Sequence, residues 1–202
     1  MKITQITSKV LFILALLITI SCSNDKPVND NPTNNIPTVT EGESHTYNLS
    51  FSGGEINGKT FSGNLPNKDM GNGAYAIRQQ YTNSENVWVD EIALVLNNGN
   101  SDDEMGVSMI LQMNNDQAKN FGPTSIDDSS SLTIMYGNYL MSPLSGTSNI
   151  TNYGEITNFL NVVYAYFTIT FNAEMQVLDI TNGAQFTTQL SGSISINRYF
   201  TP

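Results

Sequence analysis

Cysteine and histidine are almost absent from this chain of 202 residues, with one of each. A disulfide framework needs cysteine pairs and a Cys/His zinc site needs about four ligands, so neither can form. A Cys–His catalytic pair is all but excluded with them. Basic residues are also scarce: 8 Lys and Arg face 18 Asp and Glu, a formal charge of −10. An acidic chain repels phosphate backbones, which sets nucleic acid aside as a partner. Charged residues of both signs make up only 13 %, but apolar residues reach 39 % and aromatics 9 %, too many for a disordered chain. Signalling and phosphate motifs are read as absent, with no phosphate-binding loop, no dinucleotide fingerprint and no Cys-x-x-Cys pair.

The one long apolar run is at the N-terminus. Lys2 and Lys9 precede residues 10–20, which are apolar throughout except for Thr19. As a helix this run spans only about 16 Å, too short for a hydrocarbon core of about 30 Å. A charged start, a short apolar run and a small residue at its end predict a signal peptide over residues 1–21. The run closes on Thr19-Ile20-Ser21-Cys22, which resembles the lipobox of bacterial lipoproteins, with Thr19 where Leu is commoner. Cys22 has no possible internal partner, so lipidation of Cys22 is the expected fate of its thiol. The membrane is then a partner through that anchor. The location expected is the outer membrane, facing either the periplasm or the cell exterior. Loss of Lys2 and Lys9 with the leader takes the formal charge from −10 to −12.

Residues 22–42 comprise the lipidated Cys22 and a stretch with Pro27, Pro32 and Pro37 among Asn, Asp and Thr. It carries no hydrophobic period and reads as a flexible tether. Residues 43–202 then read as a single all-β domain. Tyr47, Leu49 and Phe51 alternate with polar residues, and so do Val107, Met109, Leu111 and Met113. Ala165, Phe167, Ile169, Phe171 and Ala173 give the longest alternation, and Gly192 falls at an inward position of the last strand. Asn57-Gly58 and Asn182-Gly183 are hairpin signals. Strands are expected at 74–82 and 87–96, and helical turns at most at 115–121 and 156–160. One wet face and one apolar face, repeated, predict an antiparallel β-sandwich or barrel of about 8–10 strands.

Phe51-Ser52-Gly53 with Ile56-Asn57-Gly58-Lys59-Thr60-Phe61, and Phe167–Ala173 with Val177 and Ile180-Thr181-Asn182-Gly183-Ala184-Gln185-Phe186, carry a resemblance. Together they resemble a family of small Bacteroidota (flavobacterial) lipoproteins with a β-rich domain of unknown function. The resemblance implies a fold and a location, and no activity. Ala184-Gln185 places one extra residue before Phe186, which predicts a shifted or bulged late hairpin.

Chemistry-bearing residues are few. His45 opens the domain beside the tether, no Gly-x-Ser-x-Gly elbow exists to pair with it, and it reads as an exposed or half-buried strand histidine. Asp90 and Glu91 are adjacent on a strand and point to opposite faces, so they make no acid pair; a bulge or an edge is expected there. Glu155 and Glu174 are the other acids weighed for a glycosidase. Asn98, Asn100, Asp102 and Glu104 place oxygen donors at alternate positions of one loop, a candidate calcium site that departs from the EF-hand pattern. Trp88, Tyr164 and Tyr166 are candidate stacking residues for a glycan. The expectation is a lipid-anchored envelope protein acting as a non-enzymatic binding or interaction module for a glycan or an envelope protein, without an obligatory cofactor. A glycan-acting hydrolase on a β-sandwich and a structural lipoprotein without a small ligand are the alternatives.

Overall fold

The computed structural model describes residues 43–67, 73–98, 105–123 and 129–198. The predicted leader, Cys22 and the tether lie outside these residues. Residues 40–202 form a compact unit with its own hydrophobic core. The described residues hold ten strands and no helix. In chain order they are β1 (His45–Ser52), β2 (Thr60–Leu65), β3 (Ala74–Thr82), β4 (Trp88–Asn98), β5 (Met105–Asn114) and β6 (Gln117–Ala118). Then follow β7 (Ser131–Tyr136), β8 (Tyr139–Thr157), β9 (Val163–Asp179) and β10 (Gln185–Ile196). The all-β expectation therefore holds. Neither expected helical turn forms: Asn115 takes φ 57° in a tight turn into β6, and residues 156–160 end β8 and enter a hairpin.

All strand pairs in the sheet are antiparallel, in the order β2-β1-β10-β9-β3-β4-β5-β7-β8, and β8 returns to pair with β9. Strands β3, β4, β5, β7, β8 and β9 thus close a ring, while β10, β1 and β2 extend from it as a wing. The wing folds back over the ring. Phe61 of β2 meets Tyr136 of β7 with ring centroids 4.7 Å apart, and Phe186 of β10 meets Tyr139 of β8 at 5.8 Å.

The core follows from the alternation. Ile92, Leu94 and Leu96 of β4 lie opposite Leu111, Met109 and Val107 of β5, and all six are buried. Each fully buried aliphatic side chain of this size contributes about 1.5–3 kcal/mol. Gly192 stands opposite Phe171, and a Cβ there would lie 2.5 Å from Phe171 Cζ and 2.6 Å from Leu49 Cδ2. The missing side chain makes room for that ring, so the inward glycine marks a close approach. The late hairpin keeps one register from Gln185↔Leu178 to Ile196↔Phe167, without the expected shift. The extra residue is taken up in the loop, where the Asp179 carboxylate accepts from the Thr181 and Asn182 side chains.

Candidate functional site

Strands β3, β4 and β8 bring four polar side chains together at one end of the ring. On β3, Ala74 and Ala76 are buried, so period-two alternation carries Arg78 onto the inward face. On β4, Asp90 shares the face of Ile92 and Leu94. The register sets Arg78 opposite Ile92 and Gln80 opposite Asp90, which makes Arg78 and Asp90 diagonal neighbours. Glu155 comes in on β8, opposite Ala165 on the core-facing side of β9.

The geometry is that of a clamped guanidinium. Arg78 Nε donates to Asp90 Oδ1 at 2.8 Å and the second guanidinium arm donates to Oδ2 at 2.6 Å, a bidentate pair. The remaining arm donates to the Tyr153 hydroxyl at 3.0 Å and to Glu155 Oε1. Tyr153 donates its own proton to the same Glu155 oxygen, and its ring stacks on buried Phe167 at 6.3 Å. The Arg78 and Asp90 side chains are only 17 % and 14 % exposed, so solvent screens this pair weakly. The hydrogen bond from Arg78 holds the Asp90 carboxyl below the usual range, with burial opposing it and Gln80 assisting. The Asp90 hydrogen bond raises Arg78 above its ordinary range, and burial followed by the Glu155 carboxylate raises the Tyr153 hydroxyl. Asp90 therefore stays ionised and Tyr153 protonated near neutral pH. Asp90 cannot serve as the protonated acid of a glycosidase.

A cleft of about 540 Å³ opens beside this network, lined by Ile77, Arg78, Gln79, Gln80, Glu155 and residues 161–163. Glu155 Oε2 has no hydrogen-bond partner among the described residues. Trp88 is 64 % exposed on the face of Asp90, two residues away. Sites of this size with a few fixed polar groups are typical of barrel mouths.

The sequence candidates fare unevenly. Trp88 stands at the mouth, but Tyr164 lies opposite Ile77 on the outer face and is buried to 4 % exposure. Tyr166 shares that outer face and covers Gly154, whose absent Cβ would lie 2.2 Å from the ring. The three aromatics therefore do not form one strip. Asp90 and Glu91 do point to opposite faces, yet β4 is a central strand in unbroken register, so they mark neither an edge nor a bulge. Glu91 is buried and accepts from Gln112 Nε2 at 3.0 Å. Glu155 and Glu174 face opposite sides of the sheet, since Glu155 opposes Ala165 and Glu174 opposes Ser145. His45 is buried rather than exposed or half-buried, its Nδ1 accepts from the Asn197 amide at 3.0 Å, and it does not line the cleft. Asn98 ends β4, while Asn100, Asp102 and Glu104 lie outside the described residues. Among the described residues no group of three or more His, Cys, Asp or Glu side chains gathers to hold a metal.

One motif corrects an expectation. Residues 53–60 read GGEINGKT, which satisfies the letters of a phosphate-binding loop, Gly-x-x-x-x-Gly-Lys-Thr. That chemistry needs free amides at the start of a helix. Here the segment joins two antiparallel strands, and four of its amides are spent inside the hairpin. Gly53 N donates to Asn57 Oδ1, Asn57 N to Gly54 O, Gly58 N to Phe51 O and Lys59 N to Ile56 O. The Lys59 ammonium lies 5.8 Å from the centre of the Tyr136 ring. The motif is a hairpin turn.

Sequence reasoning missed Arg78, although a signal existed: an arginine at an inward position of an apolar alternation needs a partner. It also missed a short repeat. Asn83-Ser84-Glu85-Asn86-Val87 and Asn158-Phe159-Leu160-Asn161-Val162 build the same turn. In each, the first asparagine's Oδ1 accepts from the third and fifth amides, and the second asparagine sits at φ 60°. No protein-family model matches the chain, and no curated protein or solved structure matches it.

Proposed function

We propose that the chain is a lipid-anchored cell-envelope protein whose β-domain is a non-enzymatic binding module, with the barrel mouth at Arg78 as its binding site. The lipobox-like ending at Cys22 supports the anchor, and the resemblance to small Bacteroidota lipoproteins supports an outer-membrane setting. The observation that carries the binding reading is the Arg78 network. Four interlocked side chains hold a preorganised polar floor beside an exposed Trp88 and an open cleft. The same network argues against a hydrolase, because both nearby carboxylates are tied to one guanidinium.

Two experiments test the reading. Cys22→Ala should move the protein from the membrane to the soluble fraction of fractionated cells; retention in the membrane would refute the anchor. A photo-crosslinking residue at Gln79 or Asn161 should capture an envelope component in intact cells. The same residue at Ile180, at the far end of β9 and 57 % exposed, should capture none. Equal capture from both ends, or from neither, would remove the mouth as the binding site.

A further inference from the structure

We propose that the apolar hairpin tips around this mouth dock on the surface of a zwitterionic bilayer, so that the domain touches the membrane directly. The inference rests on the reading of the chain as a lipid-anchored binding module and names the partner of that site. It starts from the duplicated turn. Both copies close through their own asparagines: Asn83 N donates to Val87 O at 2.9 Å, and Asn158 N to Val162 O at 3.0 Å. The two residues at the apex take no part in this closure through their side chains. One copy carries Ser84-Glu85 there and the other Phe159-Leu160. The turn therefore does not require an apolar apex, and neither does the core, since Phe159 is 92 % and Leu160 67 % exposed. Exposed apolar side chains that the fold does not use mark a contact surface where they gather in one patch.

The neighbouring hairpin adds to it. Ile77 lies opposite Tyr164 and Arg78 opposite Val163, so β3 runs toward the Phe159 turn as β9 runs away from it. Tyr81, Val87 and Trp88, at 40 %, 47 % and 64 % exposure, therefore end at the same pole as Phe159 and Leu160. These are five of the seven exposed large apolar side chains of the described residues. Trp, Tyr, Phe and Leu on projecting tips suit the boundary between headgroups and acyl chains.

The occupant follows from where the chain enters the domain. Thr46 of β1 lies opposite Ser195 of β10, and Ser195 lies opposite Thr168 near the start of β9. Asn67 Nδ2 ties the Glu43 and Arg198 carbonyls together, at 3.1 and 2.8 Å. Glu43 thus enters at the pole that carries the apolar tips. A lipid anchor some twenty residues upstream brings a bilayer within reach of that pole. The acidic balance of the chain sets the lipid class, since anionic headgroups would repel it.

Residues 40–202, which form a compact unit with its own core, suit the test because they lack both the leader and Cys22. Trp88 is the only tryptophan and reports from the tips themselves. Vesicles of phosphatidylcholine and phosphatidylethanolamine should shift its emission to the blue, and brominated acyl chains should quench it. Transplanting the sister apex, Phe159→Ser with Leu160→Glu, keeps the turn and the reporter and should weaken vesicle partitioning by at least about ten-fold. No shift with these vesicles, or partitioning by the variant equal to that of the parent, would overturn the inference. A shift with soluble neutral oligosaccharides and none with vesicles would also overturn it, and would leave the mouth as a glycan site with the binding-module reading intact.

Discussion

His45 illustrates how one buried ring ties stability to pH. It sits at the first position of β1, is 2 % exposed, and accepts the Asn197 amide at the end of β10. Burial lowers its pKa from 6.5 to about 4. Above pH 6.5 both folded and unfolded chains carry the neutral ring, and the group contributes no pH dependence. As pH falls from 6.5 toward 4 the unfolded chain takes up a proton that the folded chain refuses, so stability falls. The loss reaches about 3 kcal/mol near pH 4 and then levels off. Asp90, whose carboxyl is held below 3.8, loses its contribution only at lower pH, so the two windows separate. Urea midpoints at pH 7 and pH 4.5 should differ more for the parent than for His45→Asn, which keeps an acceptor near Nδ1 and does not titrate. Parallel profiles would show that the buried ring carries none of the acid sensitivity.

At the scale of elements, Arg78 joins three strands, and its removal leaves two carboxylates facing one another at the mouth. Arg78→Met should cost about 2–4 kcal/mol in urea unfolding. Adding Asp90→Asn and Glu155→Gln to it should restore much of that loss, because no charge is then left uncompensated. Arg78→Lys should not substitute, since one ammonium cannot serve Asp90 in a bidentate way and reach Tyr153 as well. A triple variant no more stable than the single one would show that the uncompensated carboxylates are not the source of the loss. Legibility in the sequence follows the same physics. β3 lies at 74–82 as expected, and β9 follows its alternation from Ala165 to Ala173, because an apolar stripe against a core dictates both. β8 was not legible. Its 19 residues include Pro143, Gly146, Gly154 and many Ser, Thr and Asn, and its register shifts twice, between Pro143 and Ser145 and between Thr151 and Gly154. Its strand character comes from the long ladder with β9, which no local pattern announces. Arg78 shared that fate, because its partners lie 12 and 77 positions away in the chain.

Across the whole molecule, the closure of the ring rests on very unequal seams. β8 and β9 pair over most of their length, from Tyr139↔Asp179 to Thr157↔Val163, and β9 pairs with β10 over twelve positions. The joint between β3 and β9 consists of two positions, Ile77↔Tyr164 and Arg78↔Val163. A sheet opens where the fewest pairs and buried contacts must be lost, so this joint is the site of lowest opening free energy in the ring. The cleft and the Phe159 turn sit beside the same joint, so local opening there reshapes the mouth without disturbing the β9–β10 ladder. Hydrogen exchange read by mass spectrometry should therefore show peptides spanning 75–80 and 158–165 exchanging well ahead of those spanning 168–176 and 188–195. The Arg78 network lies across the joint and holds it shut, so Arg78→Met should accelerate exchange in the first pair of peptides and leave the second pair unchanged. Uniform exchange in all four, or an equal acceleration in all four, would mean that the ring opens only with global unfolding and that the mouth is as rigid as the core.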